Sequence, residues 1–209
     1  MANVLIVVAH PDDEILGCGG TLAKHVEAGD VVTIHILSRR DLHKQSLEAQ
    51  DILGYNTLFT SALDDQRFDT YPLEDVIHEI RVSAGVQPDI IYTHWPHDLN
   101  LDHSITTRAV LTVFRPKPQA RPRRILAFET LSSTEWSHGY ESFSPNYYVP
   151  LKIEHVTKKV QSMRCYKSEI KEFPHPRSTM GIWTKARTRG SECGHSYAEA
   201  FHLVRCVEG

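Results

Sequence analysis

Two short segments rich in histidine and carboxylate side chains are the most chemically unusual parts of the sequence. They read His10-Pro11-Asp12-Asp13-Glu14 and Trp95-Pro96-His97-Asp98-Leu99-Asn100-Leu101-Asp102-His103. Carboxylates crowded into one turn repel one another, and a bound cation relieves that repulsion. Imidazole together with carboxylate suits zinc or a related transition metal, whereas calcium and magnesium prefer oxygen ligands. The residue types therefore indicate a transition-metal site.

His10, Asp13 and His103 supply one suitable set of ligands. Catalytic zinc sites commonly use two histidines and one carboxylate, and they leave one coordination position open for water. Zinc lowers the pKa of water toward about 7, and Asp12 is then placed to act as general base. In the alternative interpretation, Asp12 only caps a helix and Glu14 only interacts with the helix dipole. The presence of a second cluster favours the metal site.

The elements expected around these segments form a repeating strand and helix pattern. Apolar, β-branched runs predict strands at 3–9, 31–37, 89–93 and 125–129. Amphipathic spacing predicts helices at 17–27, 42–53, 73–84, 102–114 and 153–163. Such alternation predicts an α/β fold with a doubly wound, mostly parallel sheet and helices on both faces. Ligands of such sheets bind beyond the carboxyl ends of the strands, and both segments fall there.

Composition narrows the class of protein further. The chain has 209 residues and a net charge of −3, which predicts one domain spanning 1–209 and no nucleic-acid partner. Four cysteines without C-x-x-C spacing indicate reduced thiols. We expect a cytoplasmic protein without an integral membrane segment, because no signal peptide and no apolar run of about 20 residues are evident. The long loops are compatible with a homo-oligomer.

The segment Ala-His-Pro-Asp-Asp-Glu after the first strand resembles the signature of the PIG-L/LmbE-like family of zinc N-deacetylases. The downstream Asp-x-Asn-x-Asp-His at 98–103 and the terminal segment 189–201 resemble the same family. The resemblance implies a Rossmann-like fold and hydrolysis of an N-acetyl group, usually on an amino sugar that is the small-molecule partner. It also implies Zn2+ as cofactor, although another divalent transition metal can occupy such a ligand set.

Carried over by motif position, the resemblance implies that His10, Asp13 and His103 bind zinc and that Asp12 is the general base. Asp12 would then also protonate the leaving amine. Many members have a further histidine where this chain has Asn100. Asn100 cannot donate a proton in acid catalysis, but its amide can hydrogen-bond the oxyanion or the substrate. His94 and His97 are candidate substitutes for the absent histidine, although a structural role is favoured for both.

Four further residues are candidates for contact with the substrate. Glu129 follows a predicted strand and is suited to sugar hydroxyls, while Trp136 can stack on a ring. They lie in a stretch similar to one in bacterial members associated with surface-sugar synthesis. Arg67 and Arg177 are suited to phosphate or carboxylate. Several of these side chains acting together would indicate a nucleotide-linked or phosphorylated sugar.

Three functions are therefore open on the sequence. The first is zinc-dependent deacetylation of an N-acetylated amino sugar in bacterial sugar or polysaccharide biosynthesis. The second is metal-dependent hydrolysis of another small amide or ester on the same fold. The third is a non-enzymatic protein that binds a metal or a nucleotide sugar. The first is preferred because pure binding does not require a spare carboxylate such as Asp12 beside the ligands.

Overall fold

The computed structural model describes residues 1–39, 42–116, 122–139 and 141–208. In these ranges, seven strands form one sheet, and six α-helices surround it. The strands are β1 (Asn3–Val8), β2 (Val31–Arg39), β3 (Thr57–Asp64), β4 (Ile90–His94), β5 (Arg124–Phe128), β6 (Tyr147–Pro150) and β7 (Ala198–Cys206). The helices are α1 (Asp13–Glu27), α2 (His43–Leu53), α3 (Leu73–Ala84), α4 (Leu101–Val113), α5 (Ile153–Met163) and α6 (Thr179–Glu192).

The sheet is mixed but mostly parallel, with strand order β3-β2-β1-β4-β5-β7-β6. Strands β1 to β5 pair in parallel, and β7 runs antiparallel to both β5 and β6. The chain winds outward from β1 in one direction through β2 and β3, and in the other through β4 and β5. The predicted doubly wound α/β class is therefore confirmed, and the topological switch point lies between β1 and β4.

Alternation along β1 divides the core into two layers. Val4, Ile6 and Val8 pack on one face of the sheet with residues of α1, α2, α5 and α6. Leu5 and Val7 pack on the other face with residues of α3 and α4. Successive side chains of a strand point to opposite faces, so a strand buried on both sides must be apolar throughout. This confirms the prediction of helices on both faces.

Helix α1 begins earlier than predicted, at Asp13 and not at residue 17. Asp13 and Glu14 occupy its first turn, where negative charge interacts favourably with the helix dipole. The helix is interrupted at Cys18, whose φ of −144° and ψ of 22° are not helical. Glu199 accepts hydrogen bonds from the backbone N–H groups of Gly20 and Thr21 just beyond the interruption. Asp13 and Glu14 are therefore part of the helix, and only residues 10–12 of the acidic segment lie in the loop.

Strands β3, β6 and β7 and helix α6 were not predicted. Strand β3 lies at a sheet edge and alternates exposed with partly buried residues, so it lacks the continuous apolar run of a central strand. Helix α6 buries only Ile182, Ala186 and Gly190, which gives a weak amphipathic signal. No helix in the described ranges is long and apolar enough to cross a membrane.

Candidate active site

Two loops at the carboxyl edge of the sheet bring the two acidic segments together. His10 follows β1, and Asp13 is the first residue of α1. His103 lies in the first turn of α4, directly after the loop that follows β4. Because β1 and β4 are hydrogen-bonded neighbours, their loops lie side by side at the switch point. His10, Asp13 and His103 are almost completely buried there, at 3%, 1% and 1% exposure.

The three predicted ligands meet in a nearly equilateral triangle of side-chain atoms. The distances are 3.3 Å from His10 Nδ1 to Asp13 Oδ2, 3.3 Å from His103 Nε2 to Asp13 Oδ2, and 3.3 Å from His103 Nε2 to His10 Nδ1. Ligand atoms of a tetrahedral zinc site with bonds of 2.0–2.1 Å lie about 3.3 Å apart. These three atoms therefore have the spacing of three corners of a zinc tetrahedron, and the residues present fit the metal.

Carboxylates orient both imidazole rings from behind. His10 Nε2 lies 3.0 Å from Asp102 Oδ2, and His103 Nδ1 lies 3.0 Å from Asp98 Oδ1. Asp98 also accepts hydrogen bonds from the hydroxyls of Ser133 and Thr134. A histidine that donates one N–H to a carboxylate directs the lone pair of its other nitrogen toward the metal. Asp98 and Asp102 thus select the tautomer in which His10 Nδ1 and His103 Nε2 are free to coordinate.

The electrostatics of the cluster favour positive charge. Burial alone lowers the pKa of His10, but hydrogen bonds with Asp102 and Asp13 outweigh burial and raise it to about 10. Burial likewise opposes protonation of His103, yet Asp13 and Asp98 raise its pKa to about 9. Burial works against ionisation of Asp13, but the neighbouring histidines hold its pKa well below the usual range. The buried carboxylates are therefore stabilised by nearby positive charge. A bound metal ion can supply that charge in place of the protons on His10 and His103.

Asp12 is held beside the cluster in a strained conformation. Its φ of 99° lies in the left-handed region, which is rare for a non-glycine residue and occurs at functional sites. The Asp12 carbonyl accepts hydrogen bonds from the backbone N–H groups of Ile15 and Leu16. The Asp12 N–H donates to Glu14 Oε2 at 3.0 Å, and Tyr166 donates to Glu14 Oε1 at 2.8 Å. Glu14 is therefore a buried support for the turn.

Arg177 reaches Asp12 from a distant part of the chain. Its Nη1 lies 3.1 Å from Asp12 Oδ2 and 3.1 Å from Glu169 Oε2, while its Nε donates to Ser132 Oγ at 2.6 Å. Burial and the charge of Asp13 raise the pKa of Asp12, and Arg177 acts in the opposite direction. The structure thus places this predicted substrate contact directly on the predicted base.

Asn100 lies at the edge of the same site. Its Oδ1 accepts a hydrogen bond from the Asp102 backbone N–H at 2.9 Å and so caps α4. Its Nδ2 donates to Gln66 Oε1 at 3.4 Å, which leaves an amide donor near the cluster.

The two other histidines in this region lie in different environments. His94 is completely buried and stacks on His103, with ring centroids 3.9 Å apart. Its Nε2 accepts a hydrogen bond from the Ala9 N–H at 2.9 Å. His94 therefore forms part of the wall of the candidate site. His97 is partly exposed and pairs with Glu141 at 3.2 Å.

The remaining predicted substrate contacts are not brought together. Glu129 accepts two hydrogen bonds from Arg189, at 2.7 and 2.8 Å, and one from Lys185 at 3.2 Å. Trp136 is 43% exposed and packs edge-on against His175. Arg67 is exposed in the loop after β3. Contact of these residues with a substrate stays a prediction.

Sequence reasoning missed the contribution of the loop after β3. Asp65 Oδ1 lies 3.1 Å from His10 Nε2, and Asp65, His10 and Asp102 form a second group with metal-ligand spacing. Gln66 Nε2 approaches the same ring nitrogen at 3.4 Å. The acidic pair Asp64-Asp65 was visible in the sequence. Because β3 itself was not predicted, nothing indicated that this pair follows a strand end.

The fold and site define an α/β protein with a buried histidine and carboxylate cluster at its switch point. The family model described as PIG-L, GlcNAc-PI de-N-acetylase, matches residues 5–114. This is more than half of the chain, and the protein belongs to that family.

Known proteins of similar sequence or fold have more than one activity. The chain is 28% identical over 180 residues to the uncharacterized deacetylase YaiS of Escherichia coli strain K12, covering 79% of this chain and 91% of YaiS. N,N'-diacetylchitobiose deacetylase from Pyrococcus horikoshii superposes with a TM-score of 0.76 at 19% identity, covering 97% of this chain and 84% of that protein. GalB, the 4-carboxy-2-hydroxymuconate hydratase from Pseudomonas putida KT2440, superposes with a TM-score of 0.71 at 20% identity, covering 100% and 99%. At these identities the two structural matches show the fold alone.

Proposed function

We propose that this protein is a zinc-dependent hydrolase that removes acetate from an N-acetylated amino sugar. The observation that carries the proposal is the triangle of His10 Nδ1, Asp13 Oδ2 and His103 Nε2, with each side 3.3 Å. Asp12 supplies a carboxylate next to this triangle. Membership of the PIG-L family and the deacetylases among the similar proteins support the reaction type and an amino-sugar substrate.

The ligand set for zinc is His10, Asp13 and His103. Zinc bound there supplies a Lewis acid that lowers the pKa of water and polarises an amide carbonyl. Asp98 and Asp102 hold the two imidazoles in the required tautomer. The walls formed by His94 and Phe128, whose rings lie 5.0 Å apart, keep bulk water from the rear of the cluster.

Asp12 carries the proton transfers in this proposal. It accepts a proton from the attacking water, and it returns a proton to the nitrogen as the carbon–nitrogen bond breaks, so that acetate and a free amine leave. Arg177 fixes Asp12 Oδ2, which leaves Oδ1 for the exchange. The Asn100 Nδ2 group is the proposed donor to the acetamide oxygen, where negative charge develops in the transition state.

Trp136 and Arg67 are the proposed contacts with the substrate. Exposed Trp136 offers an aromatic face for a sugar ring, and exposed Arg67 offers a cation for a phosphate-bearing substituent. Glu129 and Arg177 are engaged with other side chains of the protein. A direct contact of either residue with substrate would need one of these ion pairs to rearrange.

Acetate release from the purified protein tests the proposal. We would compare N-acetylglucosamine, N,N'-diacetylchitobiose and UDP-N-acetylglucosamine, each with zinc-loaded protein, with protein treated with a chelator, and after addition of zinc. We expect acetate from at least one sugar, loss of activity on chelation, recovery with zinc, and one equivalent of bound metal. Acetate release that is unaffected by complete metal removal would contradict the proposed mechanism.

A hydrolase of another small amide or ester is the second candidate. It is favoured by one observation, which is that the same fold carries a hydratase in GalB and so accommodates more than one reaction. A panel of N-acyl and O-acyl compounds, analysed for the acid released, separates the two functions. Preferential release of an acid other than acetate would support the second candidate.

A further inference from the structure

The connection between α5 and α6, residues 164–178, reaches the turn around Asp12 at two different places. One route leads through Glu14 to the backbone of Asp12, and the other leads through Arg177 to its carboxylate. The two routes begin at Tyr166 and Glu169, which have no role in the mechanism described so far.

The first route runs from the Tyr166 hydroxyl to the Asp12 backbone. Tyr166 is completely buried, and its hydroxyl donates a hydrogen bond to Glu14 Oε1 at 2.8 Å. The other oxygen of the same carboxylate, Glu14 Oε2, accepts a hydrogen bond from the Asp12 N–H at 3.0 Å. A side chain held by packing and hydrogen bonds keeps one rotamer. Tyr166 therefore fixes the acceptor to which the Asp12 N–H is bonded.

The second route runs from Glu169 to the Asp12 carboxylate. Glu169 Oε2 accepts a hydrogen bond from Arg177 Nη1 at 3.1 Å, and the same Nη1 lies 3.1 Å from Asp12 Oδ2. Arg177 Nε also donates to Ser132 Oγ at 2.6 Å. Because a guanidinium is planar and rigid, partners on two of its nitrogens fix its orientation. Glu169 thus helps to place the cation that contacts Asp12.

Hydrogen bonds within the connection join the two routes. The backbone N–H groups of Glu169 and Ile170 both donate to the Tyr166 carbonyl, at 2.9 and 3.0 Å. Tyr166 and Glu169 are therefore held in one turn of the chain. Asp12 requires support of this kind, because its φ of 99° is maintained only where the surrounding structure imposes it.

We propose that Tyr166 and Glu169 are positioning residues for Asp12 and form a clamp that acts through Glu14 and Arg177. One arm of the clamp holds the Asp12 backbone, and the other holds Oδ2, so that Oδ1 keeps one direction toward the reacting atoms. Neither Tyr166 nor Glu169 touches the substrate in this assignment. The inference rests on the proposed function, in which Asp12 transfers the protons.

Tyr166→Phe tests the first arm, because it removes the hydroxyl and keeps the ring. We expect kcat for acetate release to fall about 10- to 100-fold, since loss of precise placement has an effect of this size. KM should stay within about twofold of the wild-type value, and one equivalent of zinc should remain bound. A wild-type kcat in this variant would overturn the clamp.

Tyr55→Phe is the matched control for this variant. Tyr55 is 3% exposed and donates a hydrogen bond to the Ser46 carbonyl at 3.0 Å, while the Tyr166 hydroxyl lies 3.2 Å from Ser46 Oγ. Both substitutions therefore remove a buried tyrosine hydroxyl beside the same serine. We expect similar decreases in the thermal midpoint, but a wild-type kcat for Tyr55→Phe. Equal losses of kcat in the two variants would reduce Tyr166 to a structural role.

Glu169→Ala tests the second arm. It should lower kcat severalfold, and Glu169→Gln, which keeps an acceptor oxygen for Arg177, should recover part of the loss. Glu172→Ala, at an exposed position, is the control and should be fully active. A wild-type kcat in Glu169→Ala would remove this residue from the clamp.

Double variants test whether both residues act through Asp12. In an Asp12→Asn background, Tyr166→Phe and Glu169→Ala should not lower the residual rate further, because the carboxylate that they position is absent. A further loss as large as that in the wild-type background would overturn the assignment.

Hydrogen exchange, followed by mass spectrometry with and without zinc, tests the clamp without substrate. The N–H groups of Ile15 and Leu16 donate to the Asp12 carbonyl, so peptides covering residues 12–16 report on the turn. We expect exchange about tenfold faster in Tyr166→Phe than in wild type or Tyr55→Phe, because loss of the clamp makes local opening of the turn easier. Equal exchange in all three would overturn the first arm. Accelerated exchange without acetate release by the wild type would support the clamp on the turn and contradict the proposed function.

Discussion

Asp12 adopts a φ of 99° at the position where the proposed mechanism needs a carboxylate beside the proposed metal ligands. Such a conformation costs of the order of 1–3 kcal/mol for a non-glycine residue. It persists because the Asp12 backbone is hydrogen-bonded on both sides, through its N–H to Glu14 and through its carbonyl to the N–H groups of Ile15 and Leu16. The strain therefore fixes the direction of the side chain, which is what a general base requires.

Asp12→Asn tests this role with little change in shape. The amide cannot accept and return a proton, so we expect kcat to fall by about 10²- to 10⁴-fold. Bound zinc should remain at one equivalent, because the ligand triangle is intact. Asp69→Asn, which alters an exposed carboxylate, is the control and should be fully active. Normal turnover of the Asp12 variant with metal bound would show that the base lies elsewhere.

Asp102 offers a separate test at the residue scale, directed at the metal. It accepts a hydrogen bond from the Phe68 backbone N–H at 3.0 Å and lies 3.0 Å from His10 Nε2. Asp102→Asn weakens the orientation and basicity of His10 without removing a ligand. We expect zinc affinity, measured by competition with a chromogenic chelator, to fall about 10- to 100-fold. Unchanged affinity would mean that Asp102 does not orient a ligand.

At the scale of elements, the close packing of α1 on β5 positions the cluster. A Cβ atom built on Gly17 would lie 2.3 Å from Cδ2 of the Phe128 ring, and the same ring packs edge-on against His94. His94 in turn stacks on His103. Because Gly17 has no side chain, α1 can pack closely against Phe128 of the sheet. This close packing fixes the position of Asp13, at the start of α1, relative to His103.

Gly17→Ala should destabilise the protein through this contact. Overpacking of a well-packed core typically costs about 1–3 kcal/mol, and the displaced Phe128 ring should also reduce zinc affinity. Gly85→Ala is the matched control, because Gly85 has helical dihedrals and only ordinary van der Waals neighbours for a Cβ. Chemical denaturation of the two variants measures both free energies of unfolding. Equal free energies of unfolding for the two variants would show that α1 can move away from the Phe128 ring without loss of stability.

For the whole molecule, buried His35 links stability to pH. His35 is 1% exposed and contacts Ser83 Oγ at 2.7 Å and Ser61 Oγ at 2.8 Å. Ser83 also donates to the Ile80 carbonyl, so its oxygen is placed to accept from His35 Nδ1. Burial lowers the pKa of His35 from 6.5 to about 4. The folded state therefore keeps this imidazole neutral at pH values where the unfolded chain protonates it.

The sign of the pH effect follows from that difference. As the pH falls from about 6.5 to about 4, proton binding favours the unfolded chain, and the wild type loses roughly 3 kcal/mol of stability relative to a variant without His35. Denaturation of wild type and His35→Gln across this range measures the difference. His138→Gln, at an exposed position, should follow the wild type. Parallel pH profiles for wild type and His35→Gln would contradict the buried neutral state.

The fold class and the edge of the sheet that carries the candidate site could be predicted from local patterns. Continuous apolar runs such as residues 3–8 indicate strands buried on both faces, and parallel strands place their following loops at one edge. That reasoning placed the segments at 10–14 and 95–103 at the same edge of the sheet. The search for continuous apolar runs did not detect strands β3, β6 and β7. Edge and antiparallel strands are partly exposed, and their formation depends on the strands beside them.

The sequence by itself determined the side-chain types offered as ligands by His10, Asp13 and His103 and predicted the α/β class, because both depend on residue identity and local periodicity. Only the tertiary structure decided which ring nitrogens face one another at 3.3 Å, and that Asp65 from the loop after β3 reaches His10. It also decided that Arg177 contacts Asp12 across 165 residues of chain. Such contacts follow from how the whole chain packs, which no local pattern of residues encodes.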